Sequence, residues 1–499
     1  MLKRIFLFVI LALIILVAIL FFNTWKVQKN MRQVAEVQLI ETDDAVVQRF
    51  SDALKIPTVS YENPADFDSV PFLDFITFLK NNYPLTDSLL DKRIVNRFSL
   101  LYKWQGSDAS LAPVVFMGHI DVVPVGAPNT SLKTEKSPTE LKSSMNSRWD
   151  VAPFGGEIKD GFIWGRGAID DKISVIGNIE TTEKLLSEGY QPKRTIYFAF
   201  GHDEEIGGRA GAVEIVKLLK SENVFPYYVM DEGGIITENR IPKITEPVAL
   251  IGVAEKGFIS IKLSVDIPGG HSSMPSKDLA IEILSKAIVK LRENRFPAQI
   301  TPPVAQFIDY ITPLMPMPEK LVFANRWLFE PVLLGAYEAS DAGNATVRTT
   351  TAPTIFKSGY KDNVLPTQAE ATVNFRILPG STSDDVVNHI RKVVADERIR
   401  IEKGSFLSEP SPVSPVTHAG FKQIEECILQ VFPEVTVAPY LVVGGTDSRY
   451  YNEICENIYR FLPVVDPIGF HDINERIGVE DYKKALQFYY QLIKAAGEQ

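Results

Sequence analysis

The sequence is poor in cysteine and histidine and has no excess of basic charge. Its two cysteines, Cys427 and Cys455, can form at most one disulfide bond, so the fold does not depend on a cysteine framework. The 52 Lys and Arg residues are outnumbered by 62 Asp and Glu residues, and the net charge of −10 argues against a nucleic-acid-binding face. Hydrophobic residues make up 45% and charged residues 23% of the 499 positions, which excludes wholesale disorder and a polytopic membrane protein.

Long apolar runs are missing as well, except for one at the N-terminus. Ile5–Phe22 has 18 consecutive residues without a polar side chain, and as a helix it would extend about 27 Å, close to the hydrocarbon thickness of a bilayer. A cleaved signal peptide usually has a shorter apolar stretch and a small-residue cleavage site, whereas this run leads into Asn23, Thr24 and Trp25. We therefore predict a transmembrane anchor with its flanks in residues 1–30 and a single-pass protein with its bulk outside the cytoplasm. If the segment is cleaved, the protein is secreted.

The remaining chain of about 460 residues is long enough for two domains. Short apolar runs of strand type alternate with helical stretches, namely Val114–Met117, Ile173–Ser187, Thr195–Phe200, Gly211–Lys220 and Tyr227–Met230. This order predicts an α/β fold with a mostly parallel sheet covered by helices. Residues 126–147 are rich in Ser, Thr, Lys and Pro and are expected to form a surface loop.

A second unit is predicted to begin near Phe258. A strand-like pattern runs from Phe258 to Ile267, an amphipathic helix is predicted at Leu279–Arg292, and apolar residues alternate from Ala371 to Ile377. These elements predict a small α+β domain inserted into the larger one. The expected boundaries are 45–257 for the first part of the main domain, 258–379 for the insertion and 380–499 for the second part.

Imidazoles and carboxylates follow the predicted strands at the edge where α/β sheets bind ligands. This ligand set suits zinc, and the two oxygens of one carboxylate can bridge two ions. Acidic residues at strand ends are also ordinary solvated caps, so their spacing alone leaves both interpretations open. The candidate residues are His119, Asp121, Asp170, Glu204, Glu205, Asp231 and His471.

Five motifs occur in the order of one family. They are Gly118-His119-Ile120-Asp121, Gly165-Arg166-Gly167-Ala168-Ile169-Asp170-Asp171-Lys172, Asp203-Glu204-Glu205-Ile206-Gly207-Gly208, Met230-Asp231-Glu232-Gly233-Gly234 and Gly269-Gly270-His271-Ser272-Ser273. Over roughly residues 45–499 the sequence resembles the co-catalytic zinc amidohydrolases, which include aminoacylase, acetylornithine deacetylase and succinyl-diaminopimelate desuccinylase. It is most similar to their carboxypeptidase S and N-fatty-acyl-amino-acid synthase/hydrolase branch.

The resemblance implies two Zn²⁺ ions per chain. It assigns His119 and Asp231 to one ion, Glu205 and His471 to the other, and Asp170 as the bridge between them. His418 is the rival of His471, but it lies in a turn ahead of a predicted helix and is typical of a solvated loop residue.

The resemblance also implies roles for residues beside the metals. Asp121 would orient His119, and Glu204 would act as the general base that activates water and then protonates the leaving amine. In relatives the peptide bond that corresponds to Asp170–Asp171 is cis. His202 is expected to be packed near the site and not to be a ligand.

Substrate contacts are expected from the insertion and from a glycine-rich turn. By resemblance, Arg376 binds the substrate carboxylate at a fixed spacing from Asn363, and His271 donates a hydrogen bond to the oxyanion, within one chain or across a homodimer formed through the insertion. Gly445 and Thr446 could offer backbone donors to the substrate. A structural salt bridge for Arg376, a packed turn for His271 and a plain tight turn at Gly445 are the structural alternatives.

Together these features predict a membrane-anchored dizinc amidohydrolase with an extracytoplasmic catalytic domain. Its expected substrates are N-acyl or N-fatty-acyl amino acids, whose amide bond it would cleave and near equilibrium could also form. A carboxypeptidase or dipeptidase would use the same site and is the alternative. A non-catalytic ectodomain that retains the fold is a third interpretation, which the presence of Glu204 and of all five proposed ligands disfavours.

Overall fold

The computed structural model describes residues 1–27, 34–125 and 149–498. The predicted loop at residues 126–147 lies outside these described residues. Two compact units are present. The inserted unit consists of the N-terminal segment, Ala254–Val413 and Pro439–Gly445, and the main unit consists of the intervening chain up to Val253, Ser414–Ala438 and the chain from Thr446 onward.

The helices and strands have the following bounds in the described residues. The α-helices are α1 (Leu2–Lys26), α2 (Asp44–Leu54), α3 (Val70–Asn82), α4 (Pro84–Leu89), α5 (Lys172–Ser187), α6 (Ala212–Ser221), α7 (Ala280–Glu293), α8 (Pro302–Ile311), α9 (Met317–Ala324), α10 (Arg326–Glu338), α11 (Asp341–Val347), α12 (Ser383–Val394), α13 (Ala419–Val431) and α14 (Val479–Glu498). The strands are β1 (Asp91–Val95), β2 (Ser99–Trp104), β3 (Val114–His119), β4 (Glu157–Lys159), β5 (Phe162–Trp164), β6 (Ile196–Gly201), β7 (Tyr228–Asp231), β8 (Ile236–Thr237), β9 (Val248–Glu255), β10 (Gly257–Asp266), β11 (Gly270–His271), β12 (Thr350–Ser358), β13 (Val364–Leu365), β14 (Gln368–Ile377), β15 (Ile399–Ser408), β16 (Thr436–Val442), β17 (Ile458–Arg460) and β18 (Arg476–Gly478).

The large sheet is mixed, which corrects the prediction of a mostly parallel sheet. Its strand order is β1-β2-β6-β3-β7-β17-β9-β16, with β8 beside β9. The pairs β6–β3, β3–β7 and β7–β17 are parallel, whereas β1–β2, β2–β6, β17–β9 and β8–β9 are antiparallel. The link from β1 to β2 has only three residues, and a parallel pair would need a longer crossover connection.

The parallel centre of the sheet brings the predicted strand ends to one edge. All residues of β3, β6 and β7 are buried, as expected for parallel strands covered on both faces. These strands end at His119, Gly201 and Asp231, so their carboxyl ends meet. The predicted strands and the helices α5 and α6 are therefore present within one or two residues of their predicted bounds.

The inserted unit is an antiparallel sheet of four strands in the order β12-β14-β10-β15, with helices packed on one face. Along β14 the residues from Ala369 to Ile377 are alternately buried, which agrees with the predicted pattern. The unit extends to Val413 and not to the predicted boundary at residue 379. The reason is that β15 pairs with β10, and α12 buries Val386 and Ile390 in the core of the same unit.

The N-terminal helix α1 is long and apolar enough to cross a membrane, by length and composition. The same two features also fit a signal sequence. Cys427 and Cys455 are both free and buried, so they do not form the one disulfide bond that the sequence allows.

Candidate metal centre

Loops and strand ends of the main unit bring two imidazoles and several carboxylates together. His119 is the last residue of β3, Glu205 lies in a short 3-10 turn after β6, and Glu232 directly follows β7. Asp170 precedes α5, and His471 lies in the loop before β18. Two overlapping groups, His119 with Asp170 and Glu205 and His119 with Asp171 and Glu232, have ligand atoms within 4.8 Å of one another.

Asp170 is placed between the two imidazoles. Its Oδ1 lies 2.9 Å from His119 Nε2, and its Oδ2 lies 2.5 Å from His471 Nε2. Burial opposes ionisation of this carboxyl, but the hydrogen bonds with His119 and His471 outweigh burial and lower the pKa of Asp170. The Asp170–Asp171 peptide bond is cis, as the resemblance implies. Each oxygen of Asp170 thus faces a different imidazole, which is the arrangement expected of a bridging ligand.

Glu205 lies on the His471 side of this carboxylate. Its Oε2 is 3.4 Å from His471 Nε2, and its Oε1 accepts a hydrogen bond from the Val123 backbone at 3.1 Å. Burial and the nearby Asp170 carboxylate raise the pKa of Glu205 to about 7. His471 is half exposed, so this side of the cluster is open to solvent.

Glu232 has its carboxylate beside His119. Glu232 Oε1 lies 3.5 Å from His119 Nε2, whereas Asp231 Oδ2 accepts a hydrogen bond from the Ser448 backbone at 2.9 Å. Glu232 is therefore a candidate ligand at the position where the resemblance implies Asp231. Burial and the charge of Asp170 raise the pKa of Glu232 to about 8.

Asp121 connects His119 with the turn that carries Glu204 and Glu205. His119 Nδ1 lies 3.0 Å from the Asp121 carbonyl oxygen and 3.3 Å from its Oδ1. The Asp121 carboxylate also accepts hydrogen bonds from the backbone N–H groups of Glu204 and Glu205, both at 3.2 Å. This contact with His119 is the one expected of a residue that orients a ligand.

The Glu204 turn is held by further hydrogen bonds. Asp203 accepts hydrogen bonds from the backbone of Ala210 and Gly211, both at 2.7 Å. Glu204 itself is partly buried, and desolvation raises the pKa of its carboxyl well above the usual range. The backbone at Glu204 is thus fixed by the hydrogen bond to Asp121 and by the loop in which Asp203 binds the backbone of Ala210 and Gly211.

The histidines that were considered as rivals have other partners. His202 Nδ1 forms a hydrogen bond of 2.6 Å with Ser99 Oγ, and its ring packs against Phe98. His418 caps α13, where its Nδ1 accepts a hydrogen bond from the Gly420 backbone at 3.0 Å. Neither belongs to the groups of potential metal ligands found in the described residues.

Sequence reasoning missed Glu475, a fully buried carboxylate beneath the centre. It accepts hydrogen bonds from the backbone of Gly167, Ile169 and Asp170 at 3.0, 2.8 and 3.2 Å. Arg166 donates to Glu475 Oε2 at 2.6 Å and, with its other terminal nitrogen, to the Asp472 carbonyl at 3.0 Å. Glu475 therefore fixes the turn that presents Asp170. The only sequence signal was its place in an Asn-Glu pair just after His471.

The predicted substrate residues lie in both units. His271, Asn363, Arg376 and Gly445 belong to the inserted unit, and Thr446 belongs to the main unit. His271 is exposed, and its Nδ1 is 2.8 Å from Ser273 Oγ. The Arg376 guanidinium lies 4.8 Å from the centre of the Phe258 ring, so Arg376 has a packing partner in the inserted sheet.

Thr446 takes part in the turn that supports Asp231. Its Oγ1 forms a hydrogen bond of 2.6 Å with Ser448 Oγ, and the Ser448 backbone donates to Asp231. The hydroxyl of Thr446 thus serves this internal turn, and the donor role predicted for the backbone at Gly445 and Thr446 stays a prediction.

Comparison with known proteins identifies the family. The model of peptidase family M20/M25/M40 matches residues 115–495. The chain belongs to this family. It is 41% identical to the probable carboxypeptidase S-like 2 of Dictyostelium discoideum, over 91% of this chain and 85% of that protein. It is 38% identical to the N-fatty-acyl-amino acid synthase/hydrolase PM20D1.1 of Danio rerio, over 94% and 90% of the two chains.

A solved structure shares the fold. The M20 family metallo-carboxypeptidase Sso-CP2 of Sulfolobus solfataricus superposes with a TM-score of 0.65 at 19% identity, and the match covers 91% of this chain and all of that chain. Family membership makes this protein a metal-dependent hydrolase of amide bonds, and M20 proteins are typically dizinc enzymes.

The donor set of the centre fits a pair of zinc ions. Two imidazoles and three carboxylates, one of which is shared, match the nitrogen and oxygen ligands of co-catalytic zinc, and the two oxygens of Asp170 can supply the bridge. His119, Asp170, Glu205 and Glu232 are the buried or partly buried candidates, and His471 completes the set from the solvent side.

We predict that Glu475→Gln weakens zinc binding by about 10- to 100-fold, the usual effect of losing a group that orients metal ligands. The amide would place N–H donors against the backbone donors of Gly167 and Ile169 and would lose the charge that pairs with Arg166. Zinc affinity is measured by competition with a chelator, and saturating zinc should restore most of the kcat. The control is Glu434→Gln, an exposed glutamate of the same unit. Unchanged zinc affinity in the folded variant would contradict this role.

Proposed function

We propose that this protein is a dizinc amidohydrolase that cleaves the amide bond of N-acyl and N-fatty-acyl amino acids and near equilibrium can also form it. The observation that carries the proposal is the Asp170 carboxylate shared between His119 and His471. The substrate class is supported by relatives named as N-fatty-acyl-amino acid synthase/hydrolases, at 37 to 38% identity over most of the chain. A carboxypeptidase acting on small peptides is the second candidate, because relatives named as carboxypeptidase S or similar to it also match.

In this proposal His119 and Glu232 would hold one zinc ion, Glu205 and His471 would hold the other, and Asp170 would be shared between them. Glu232 replaces Asp231 in the predicted set because its carboxylate lies beside His119 Nε2. Asp231 is then a supporting residue that fixes the turn at Ser448. When bound, the zinc ions act as Lewis acids that polarise the scissile carbonyl.

Glu204 is the proposed general base. It neighbours the proposed ligand Glu205 on a turn whose backbone is held by Asp121, so its backbone is fixed relative to that of Glu205. A carboxylate in this position takes a proton from the attacking water and returns it to the leaving amine, which leaves as a neutral group. Asp121 keeps His119 in one orientation during this cycle.

Substrate binding is assigned to residues that the family pattern indicates. Arg376 would bind the substrate carboxylate through two parallel hydrogen bonds, Asn363 and Gly445 would line the substrate, and His271 would donate to the oxyanion, within the chain or across a homodimer. The exposure of His271 supports this role, since an exposed ring is accessible to a partner. Thr446 contributes through the turn that it forms with Ser448.

Localisation is part of the proposal. We propose that α1 is a retained single-pass anchor and that both units lie outside the cytoplasm. The length and apolar composition of α1 support the span. The polar and aromatic residues at its end, where a cleavage site would need small side chains, favour retention.

Glu204→Gln should retain about two zinc ions per chain and lose about 10² to 10⁴ in rate, the usual contribution of a general base. The amide keeps the size of the side chain but cannot accept a proton. The assay compares hydrolysis of an N-oleoyl amino acid with that of a blocked dipeptide, and wild type is expected to prefer the N-oleoyl substrate. Faster cleavage of the dipeptide by the wild type would favour the carboxypeptidase alternative. Full activity of the Glu204→Gln variant would show that another residue is the general base.

Glu232→Gln and Asp231→Asn separate the two possible ligand sets. Loss of a direct ligand should release one zinc ion, so Glu232→Gln is expected to bind close to one ion per chain. Asp231→Asn retains an oxygen that can accept the Ser448 hydrogen bond and should bind close to two. Metal content after dialysis is measured by elemental analysis. The opposite pattern would restore Asp231 as the ligand.

Arg376→Ala should reduce kcat/KM for acid substrates by about 2 to 4 kcal/mol, as expected when one partner of a charged pair is truncated. The corresponding substrate amides lack the carboxylate and should lose little. Arg400→Ala is the matched control, because Arg400 is an exposed arginine of the same sheet that pairs with Asp266. Equal losses on acids and amides would assign Arg376 a structural role.

A further inference from the structure

Helix α10 of the inserted unit exposes an apolar face. Trp327, Leu328 and Val332 are 59, 40 and 58% exposed, and Pro331, Gly335 and Ala336 are exposed beside them. At 100° per residue these six positions share one half of the helix surface, and Glu330 lies about 60° outside it. Glu338, at the end of the helix, is paired with Arg348. Glu338 falls on the same half of the surface and is its one charged residue in this helix, so apart from this ion pair the outward face is uncharged where a helix facing water would be polar.

The opposite side of α10 packs against the core of the inserted unit and also carries Glu330 and Arg326, which pairs with Asp309. Leu333 is 1% exposed, and Leu334 and Tyr337 pack against a core cluster that contains Val304 and Ile308 of α8. A contiguous exposed apolar face such as that of α10 is typical of a surface that meets another protein or a membrane. The contact between the residue before α10 and the end of α1 favours a membrane.

The residue that precedes α10 is bound to the end of α1. Asn325 is fully buried, and its amide nitrogen donates to the Leu20 carbonyl at 3.0 Å and to the Leu321 carbonyl at 2.9 Å. Its Oδ1 accepts a hydrogen bond from Asn23 Nδ2 at 2.9 Å. Thr24 is buried at the same contact. These side-chain amides pair with each other and with α1 backbone in otherwise apolar surroundings, which fixes the register between α1 and the start of α10.

This contact lies at the end of the apolar span. Phe22 and Trp25 are exposed on α1 close to Asn23, and the Lys26 ammonium lies 4.6 Å from the Phe22 ring centre. Aromatic residues and lysine at the end of an apolar helix are typical of the boundary between lipid and water. If α1 spans a bilayer, the start of α10, with Trp327, lies at that boundary.

We propose that the exposed face of α10 lies in the headgroup region of the bilayer that α1 crosses. This inference rests on the proposed anchor. The 13-residue helix, about 20 Å long, would lie in the plane of the interface with its apolar side chains directed into the lipid. The inserted unit would then contact the membrane at two places, α1 and α10, and its distance from the bilayer would be fixed.

The test uses the full chain in vesicles of phosphatidylcholine and phosphatidylglycerol. A thiol-reactive fluorophore is attached at Val332→Cys and, in a second variant, at Leu328→Cys; the native Cys427 and Cys455 are buried and are not expected to react. Lipids brominated in the upper acyl chain should quench both probes by half or more, because side chains at an interface reach this depth. The control probe at Tyr360→Cys, which is 84% exposed in the same unit, should not be quenched.

Three outcomes would overturn the proposal. In the first, the brominated lipids quench the probes at positions 328 and 332 no more than the control probe. In the second, the probes become shielded from solvent as the protein concentration rises without lipid, which would assign the face to a second copy of the chain. Release of the chain without residues 1–26, detected by mass, would remove the anchor on which the inference rests. Turnover of the N-oleoyl amino acid by the same samples reports separately on the proposed function, since it does not depend on quenching at α10.

Discussion

The centre depends on one buried carboxylate that two distant segments must hold in place. Each oxygen of Asp170 faces a different imidazole, so a shift of either turn would remove one contact. Glu475 prevents such shifts, because it binds the backbone of the Asp170 turn and follows His471 in the C-terminal loop. Arg166 adds a second link between the two segments through the Asp472 carbonyl. The positions of Asp170 and His471 are therefore set by the same buried ion pair.

Much of this arrangement could be predicted from local pattern. Strands β3, β6 and β7 are short apolar runs that end in or lead into His or acidic residues. Because they are parallel neighbours, their carboxyl ends lie at one edge of the sheet irrespective of the loops that connect them. The contact of Asp121 with His119 was expected from the family resemblance, which assigns Asp121 to orient that histidine. These predictions needed no knowledge of long-range packing.

The parts that sequence reasoning missed depend on information that a local pattern does not contain. Asp231 and Glu232 are adjacent acids, and β7 is buried on both faces, so no alternation of polar and apolar residues reveals which acid faces His119. Glu475 acquires its role only through donors more than 300 positions earlier in the chain. The position of α12 in the inserted unit likewise depends on the pairing of β15 with β10, and no local sequence pattern predicts that pairing.

The buried acids near the metal centre repel one another when they are ionised. This repulsion gives a physical reason to expect that metal binding stabilises the main unit. Burial raises the pKa of Glu232 and of Asp447 to about 8, and within the described residues neither oxygen of Asp447 accepts a hydrogen bond. Gly208, at φ +66°, leaves room for that carboxylate, since a Cβ there would overlap with its Oδ1. Like charges buried this closely destabilise a fold unless cations offset them. Two divalent ions would supply that charge, so the main unit is expected to gain stability from the same ions that serve the chemistry.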